Sequence, residues 1–167
     1  MRMKKILSLL ALCCAMASVP AWAVDVGQPA PTLTAKMLNG DTFDLKGEVG
    51  QVVIVNFWAS WCEPCREEMP AMESYYQQHK GEGLRIIAVS MDDPADDPIV
   101  RKIMANYSYP ATFQRDAHFK AFGRIWRMPM TYVIDRHGMV RKDGSVGEPK
   151  VDLTLLDKLI TPLLAEH

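Results

Sequence analysis

VVIVNFWASWCEPC, residues 52–65, is the stretch that decides the fold. Its first half, Val52 to Trp58, is a nearly continuous apolar and β-branched run, which is typical of a strand buried in the middle of a sheet. From Cys62 to about Lys80 the apolar residues recur at helical spacing, and the glycines at 81 and 83 predict the end of that helix. The cysteines therefore fall at a strand-to-helix junction, where open α/β sheets carry their functional sites.

The rest of the chain extends this pattern in both directions. An Asn39-Gly40 pair between two short extended runs predicts a hairpin, and Arg136-His137-Gly138 predicts a second one. The other predicted elements are a strand over 84–91, a helix from Asp97-Pro98 to about Tyr107, an extended piece over 111–114, a helical stretch over 117–125, strands over 130–135 and 139–142, and a closing amphipathic helix over 152–165. This order predicts an α/β fold with helices on the faces of a sheet.

The N-terminus has the pattern of a secretory signal peptide. Three basic residues among the first five precede an apolar run over 6–19, and Ala21-Trp22-Ala23 supplies the small-residue cleavage site. The run is shorter than the roughly 20 residues of a spanning helix. A lipid-attached N-terminus is the alternative because Cys13 and Cys14 lie in the run, but neither follows a small residue. We expect cleavage after Ala23 and a periplasmic protein.

Removal of residues 1–23 leaves 144 residues (167 minus 23), which is the size of one domain, 24–167. The remaining 16 basic residues (19 minus 3) face 20 acidic ones, so nothing predicts a nucleic-acid partner. Of the four cysteines only Cys62 and Cys65 remain. A bridge across two residues constrains little of the unfolded chain, so this pair is poorly placed to be structural.

The spacing of the two cysteines assigns them different roles. Cys62, at the start of the helix, meets unpaired backbone N–H groups that stabilise a thiolate and lower the pKa of a thiol from about 8.5. It is the predicted attacking sulfur, and Cys65, one turn inside, is the resolving one. An inert bridge and a zinc site are the alternatives, but zinc needs about four ligands and the chain has neither a second cysteine pair nor closely spaced histidines.

The run from Val55 to Pro70, VNFWASWCEPCREEMP, resembles the TlpA/ResA-like branch of the thioredoxin superfamily. The resemblance extends from Gly27-Gln28-Pro29-Ala30-Pro31 to the second hairpin. It implies a thioredoxin fold, with a central mixed β-sheet flanked by helices, an N-terminal β-hairpin extension and a central helical insertion. It also implies a monomeric protein-disulfide reductase without a cofactor, acting on exported proteins, for example in cytochrome c maturation or metal-site assembly, with electrons from a membrane thiol donor.

The resemblance adds further site residues. It implies a cis Met128-Pro129 bond beside the cysteines, where a substrate peptide docks, with Trp61 shielding the sulfurs. Glu68 matches an acidic residue that could exchange protons with Cys65, although a solvated acid in the first turns of a helix is an equal alternative. Two departures stand out. Asn56 replaces a buried aspartate, and Arg127 replaces a common glycine in a segment one residue longer than usual.

Two other functions compete with the reductase. A peroxiredoxin-like peroxidase needs a proline and a threonine upstream of its cysteine, and residues 57–61 contain neither. A non-enzymatic copper-binding assembly protein usually spaces its cysteines by three residues and adds a histidine, whereas Cys62 and Cys65 are separated by two. The sequence therefore favours thiol–disulfide exchange.

Overall fold

The computed structural model of the protein describes residues 24–166, so the predicted signal peptide lies outside the described residues. The strands are β1 (Thr34–Lys36), β2 (Thr42–Asp44), β3 (Val52–Trp58), β4 (Leu84–Ser90), β5 (Ala111–Phe113), β6 (Ala117–His118), β7 (Met130–Ile134) and β8 (Val140–Lys142). The helices are α1 (Glu63–His79), α2 (Asp97–Met104) and α3 (Leu153–Leu164). None of these helices is long and apolar enough to cross a bilayer.

The central sheet has the strand order β5-β4-β3-β7-β8. All seven residues of β3 are buried, which explains why its sequence is apolar without alternation. β3 runs parallel to β4 and antiparallel to β7, so the predicted mixed sheet is confirmed. Its side chains point alternately into two cores, one under α1 and α3, the other under the N-terminal hairpin. The end of β3 is therefore held rigidly from both faces.

The predicted N-terminal hairpin is confirmed. β1 and β2 pair antiparallel around the Asn39-Gly40 turn, where Gly40 has a φ of +95° that suits a residue without a Cβ. The second hairpin, β7 and β8, is also confirmed. The closing helix begins at its N-cap, Asp152, whose carboxylate accepts the N–H of Leu155 at 2.8 Å.

The helical prediction for residues 117–125 is wrong. Ala117 and His118 form β6, which pairs with β1, and the next residues make only one 3-10 turn, Lys120–Phe122. The rings of Phe119 and Phe122 lie 5.1 and 5.8 Å from the ring of Phe57 on β3. Packing onto the sheet thus overrides the local helical spacing.

The central helical insertion consists of α2, which is shorter than predicted. α2 ends at Met104 rather than near Tyr107. Tyr107 instead stacks on the buried ring of Tyr109, at 5.6 Å between centroids. Asp97 is the first residue of α2, and its carboxylate accepts hydrogen bonds from the guanidinium of Arg115.

Candidate active site

Cys62 is the N-cap of α1 and lies four positions after the last residue of β3. Its backbone is extended, and its Sγ accepts the N–H of Cys65 at 3.3 Å. This is the hydrogen bond that a serine or aspartate side chain makes at other helix starts. The sulfur lies at the positive end of a 17-residue helix, an environment that favours a thiolate in the reduced protein.

Cys62 and Cys65 form a disulfide, with their Cα atoms 5.3 Å apart. Cys62 is 5% exposed and Cys65 is 0% exposed, so of the two only Cys62 offers surface to an incoming sulfur. Pro64 occupies the first turn of α1, where its missing N–H leaves no helical hydrogen bond unmade. The site is thus asymmetric, with one sulfur at the rim and the other inside.

Asp92 holds the turn before Cys62, and sequence reasoning missed it. Both of its carboxylate oxygens accept the Ser60 N–H at 3.0 Å, and they also accept the hydroxyls of Ser60 at 2.6 Å and Ser90 at 2.7 Å. The side chain is buried at the end of β4. An aspartate directly after a buried parallel strand was the available indication, because such positions face the carboxyl edge of the sheet.

Glu68 is buried, with an exposed fraction of 1%. Its Oε1 accepts the side-chain amide of Asn56 at 2.8 Å, and its Oε2 accepts the backbone N–H of Val151 at 2.9 Å. Burial raises the pKa of Glu68 to about 7, although both hydrogen bonds oppose the rise. The alternative of a solvated acid is therefore wrong. Glu68 follows Cys65 by three residues on α1, a spacing that places both on one side of the helix.

Asn56 takes part in the site although it carries no titratable group. Its side-chain amide donates to Glu68 and also to the hydroxyl of Thr131 at 2.9 Å. Asn56 and Thr131 face each other in the register between β3 and β7. The buried carboxyl that the resemblance places on the strand is thus found on the helix, and the strand residue supports it.

Met128 and Pro129 lie at the edge of the sheet where the cysteines lie. Met130 pairs with Phe57, so the chain before β7 and the chain after β3 leave the sheet at the same edge. The Met128-Pro129 bond is cis, Pro129 is buried, and Met128 packs against the core that contains both cysteines. Trp61 is 65% exposed next to Cys62, so its ring is a surface feature and not a buried wall.

Among residues 24–166, no group of three or more histidine, cysteine, aspartate or glutamate side chains is arranged to hold a metal ion.

Comparison with known proteins adds a family to this geometry. The model of the AhpC/TSA family matches residues 26–143. The thiol-disulfide oxidoreductase ResA of Bacillus thuringiensis subsp. konkukian is 32% identical over 142 residues, covering 83% of this chain and 80% of its own length. The thioredoxin-like protein YneN of Bacillus subtilis is 32% identical over 140 residues, covering 78% and 81%.

The solved structures agree in fold. A candidate thiol:disulfide interchange protein, DsbE, from Chlorobium tepidum superposes with a TM-score of 0.72 at 29% identity, over 86% of this chain and 100% of its own. The thioredoxin fold is thereby confirmed, and the relatives do not favour the peroxidase alternative. The chain belongs to the AhpC/TSA family, and within it to the ResA-like thiol–disulfide oxidoreductases.

Proposed function

We propose that this oxidoreductase reduces disulfides of exported proteins, with Cys62 attacking, Cys65 resolving and Glu68 accepting the proton of Cys65. The observation that carries the assignment is the position of Cys62, whose Sγ caps α1 and is the more exposed of the two sulfurs. A sulfur that caps a helix N-terminus is stabilised as a thiolate, and the more exposed cysteine is also the one that a substrate sulfur can reach.

The reaction proceeds in two exchanges. The Cys62 thiolate attacks one sulfur of the substrate disulfide, forming a mixed disulfide, and the other substrate sulfur leaves as a thiolate and takes up a proton. Cys65 then gives its proton to the Glu68 carboxylate and attacks the Sγ of Cys62. The second substrate sulfur leaves, so the substrate gains two electrons and the enzyme ends with the Cys62–Cys65 disulfide.

Glu68 suits the second exchange because of its pKa. A carboxyl with a pKa of about 7 is present in both protonation states near neutral pH, so it can take a proton from a thiol and return it. An exposed glutamate with a pKa near 4.5 would be a much weaker base at that pH. The buried Glu68 carboxyl, one turn along α1 from Cys65, is thus the proposed proton acceptor for a thiol that has no exposed surface.

The substrate peptide docks, in this proposal, against Trp61, Met128 and Pro129. Trp61 adjoins Cys62, Met128 and Pro129 precede the strand that pairs with the end of β3, and the exposed ring of Trp61 offers an apolar platform there. Candidate substrates are proteins whose cysteines must be reduced before they bind a cofactor, such as apocytochrome c or proteins of metal-site assembly. The resemblance to the TlpA/ResA-like branch supports reduction over oxidation.

The cellular setting is part of the same proposal. Residues 1–23 act as a signal peptide, and residues 24–167 work in the periplasm as a monomeric thioredoxin-like domain. A membrane thiol protein returns the electrons to the oxidised pair. The basic and apolar pattern of the first 23 residues supports export.

Trapping of the mixed disulfide tests the two cysteine roles. Reduced Cys65→Ser protein incubated with insulin should accumulate a covalent complex that reducing agent releases, because nothing resolves it. Cys62→Ser protein should accumulate none, and both variants should lose catalytic insulin reduction. A stable complex formed by Cys62→Ser and not by Cys65→Ser would reverse the assignment and reject the proposal.

A further inference from the structure

The chain from Asp143 to Val151, here called the cover segment, connects β8 to α3 and reaches Glu68 at its last residue. Its last residue, Val151, is 2% exposed and donates its N–H to Glu68. Near its start, a Cβ built on Gly144 would lie 2.6 Å from the Thr131 backbone nitrogen, so the segment packs backbone against backbone on β7. The segment therefore contributes Val151 to the enclosure of Glu68, while its start packs against β7.

Arg127 ties the middle of the cover segment to the rest of the protein. Its guanidinium donates to the Gly144 carbonyl at 2.8 Å from Nη2 and 3.3 Å from Nε, and to the Gly147 carbonyl at 3.1 Å from Nη1. A planar fork with several donors is needed to reach two carbonyls at once. The residue that replaces a common glycine of the family thus has a defined structural partner.

The other side-chain hydrogen bonds and ion pairs of residues 143–150 are local or exposed. Asp143 bonds to Ser145 two residues on, and Glu148 bonds to the Lys150 N–H. The ion pair between Lys150 and Glu67 joins side chains that are 53% and 54% exposed, and such pairs contribute little. Between the end of β8 and Val151, Arg127 therefore provides the main side-chain link from the cover segment to the sheet edge.

We propose that Arg127 is a positioning residue that holds the cover segment in place and thereby keeps the Glu68 carboxyl buried. The consequence for catalysis rests on the proposed role of Glu68, but the effect on the carboxyl itself does not. Arg127 directly precedes Met128 and Pro129, so the residue that holds the cover segment belongs to the same stretch of chain as the proposed docking residues. Its guanidinium also lies 5.1 Å from the ring of Trp126, which is 59% exposed.

The sign of the effect follows from what surrounds Glu68. Burial raises its pKa most, and the opposing groups are the Val151 N–H, the Asn56 amide and the cations Lys142 and Lys150. The phenol of Tyr109 also faces Glu68, and Cys65 lies one turn away on α1. Burial lowers the pKa of Lys142, and the positive charge of Arg127 lowers it further. Loss of Arg127 would admit water to the carboxyl and reduce the desolvation that raises the pKa of Glu68, so that pKa should fall.

A direct titration tests the proposal. The signal of the Glu68 carboxyl carbon is followed by NMR against pH in oxidised protein labelled with ¹³C-glutamate, and Glu68→Gln assigns it. Arg127→Ala should move the pKa of Glu68 from about 7 toward its ordinary value of 4.5. The control is Arg124→Ala, which removes an exposed arginine of the same stretch and should leave the titration unchanged. A wild-type pKa in folded Arg127→Ala would overturn the proposal.

Arg127→Lys keeps the test available if Arg127→Ala does not fold. Its single ammonium cannot span the Gly144 and Gly147 carbonyls, so the pKa of Glu68 should again fall, by a smaller amount. Hydrogen exchange of the Val151 amide should speed up about tenfold or more in either Arg127 variant, as expected for local opening, and not in Arg124→Ala. Unchanged hydrogen exchange of Val151 and an unchanged pKa of Glu68 in Arg127→Lys would also reject the proposed role of Arg127.

The titration measures Glu68 directly and does not depend on activity. A Glu68→Gln variant with normal insulin reduction would therefore reject the proposed proton transfer by Glu68 and leave the proposed role of Arg127 standing.

Discussion

Glu68→Gln should remove a pH dependence of stability that the folded protein owes to one buried carboxyl. Burial raises the pKa of Glu68 to about 7, against 4.5 for a glutamate in the unfolded chain. The folded state therefore holds this proton more tightly, and the stabilisation is complete below pH 4.5 and is lost as pH rises toward 7. At 1.36 kcal/mol for each pKa unit, the loss is about 3 kcal/mol.

The measurement is urea unfolding of the oxidised protein at a series of pH values, for wild type and variant. Groups other than Glu68 contribute equally to both proteins, so the difference in unfolding free energy isolates the carboxyl. Wild type should lose about 3 kcal/mol relative to Glu68→Gln between pH 4.5 and 7.5. The new amide of the variant shifts the whole curve by about 1–2 kcal/mol, because its N–H₂ must face one of the two donors, the Val151 N–H or the Asn56 amide, but it does not change the slope.

The matched control is Glu67→Gln, which changes the adjacent, half-exposed carboxyl. Because that carboxyl is half exposed, the substitution should not reproduce the loss of about 3 kcal/mol over the same range. A flat curve for Glu68→Gln would mean that Glu68 titrates as it does in the unfolded chain. That result would refute the argument from burial and, with it, the proposed proton acceptor.

Two further substitutions test the parts of the site that hold Cys62 and receive the substrate. Asp92→Ala removes the acceptor of four hydrogen bonds from Ser60 and Ser90, so it should lower the free energy of unfolding in urea by about 2–4 kcal/mol. Asp93→Ala, which changes the exposed neighbour, should not lower it. Equal effects of the two substitutions would contradict the anchoring role of Asp92. Trp61→Ala should raise KM for insulin several-fold and leave KM for a small aromatic disulfide nearly unchanged, because only the protein substrate extends over the ring. A parallel rise of KM for both substrates would contradict the proposed role of Trp61 in docking.

The elements that sequence reasoning predicted best are those that local patterns determine. β3 was found with its bounds because seven consecutive buried residues leave an apolar run that only Asn56 interrupts. The hairpin at Asn39-Gly40 and the cysteines at the start of α1 also follow from short-range rules. The helix predicted over 117–125 failed because Phe119 and Phe122 have helical spacing, yet their partner is Phe57, more than 60 positions earlier.

The site was predicted only as far as its contacts are local. Cys62 and Cys65 lie three positions apart at the start of α1, and their different exposure follows from one being the N-cap and the other lying in the first turn. The burial of Glu68 depends on Val151, 83 positions away, so the sequence left two alternatives open. Asp92 contacts Ser60 across 32 positions, and its place at the end of the buried strand was the one indication that separated it from Asp93. Which polar residues are enclosed is decided by how the strands are brought together.

The reduction potential of the Cys62–Cys65 pair tests the central claim most directly. The protein is equilibrated with thioredoxin of known potential, or with glutathione buffers, and the fraction of the oxidised form is determined by alkylation of free thiols. A reductant of exported disulfides should have a potential near that of thioredoxin, about −270 mV. A potential near that of the oxidant DsbA, about −120 mV, would mean that the pair oxidises its substrates and would contradict the account.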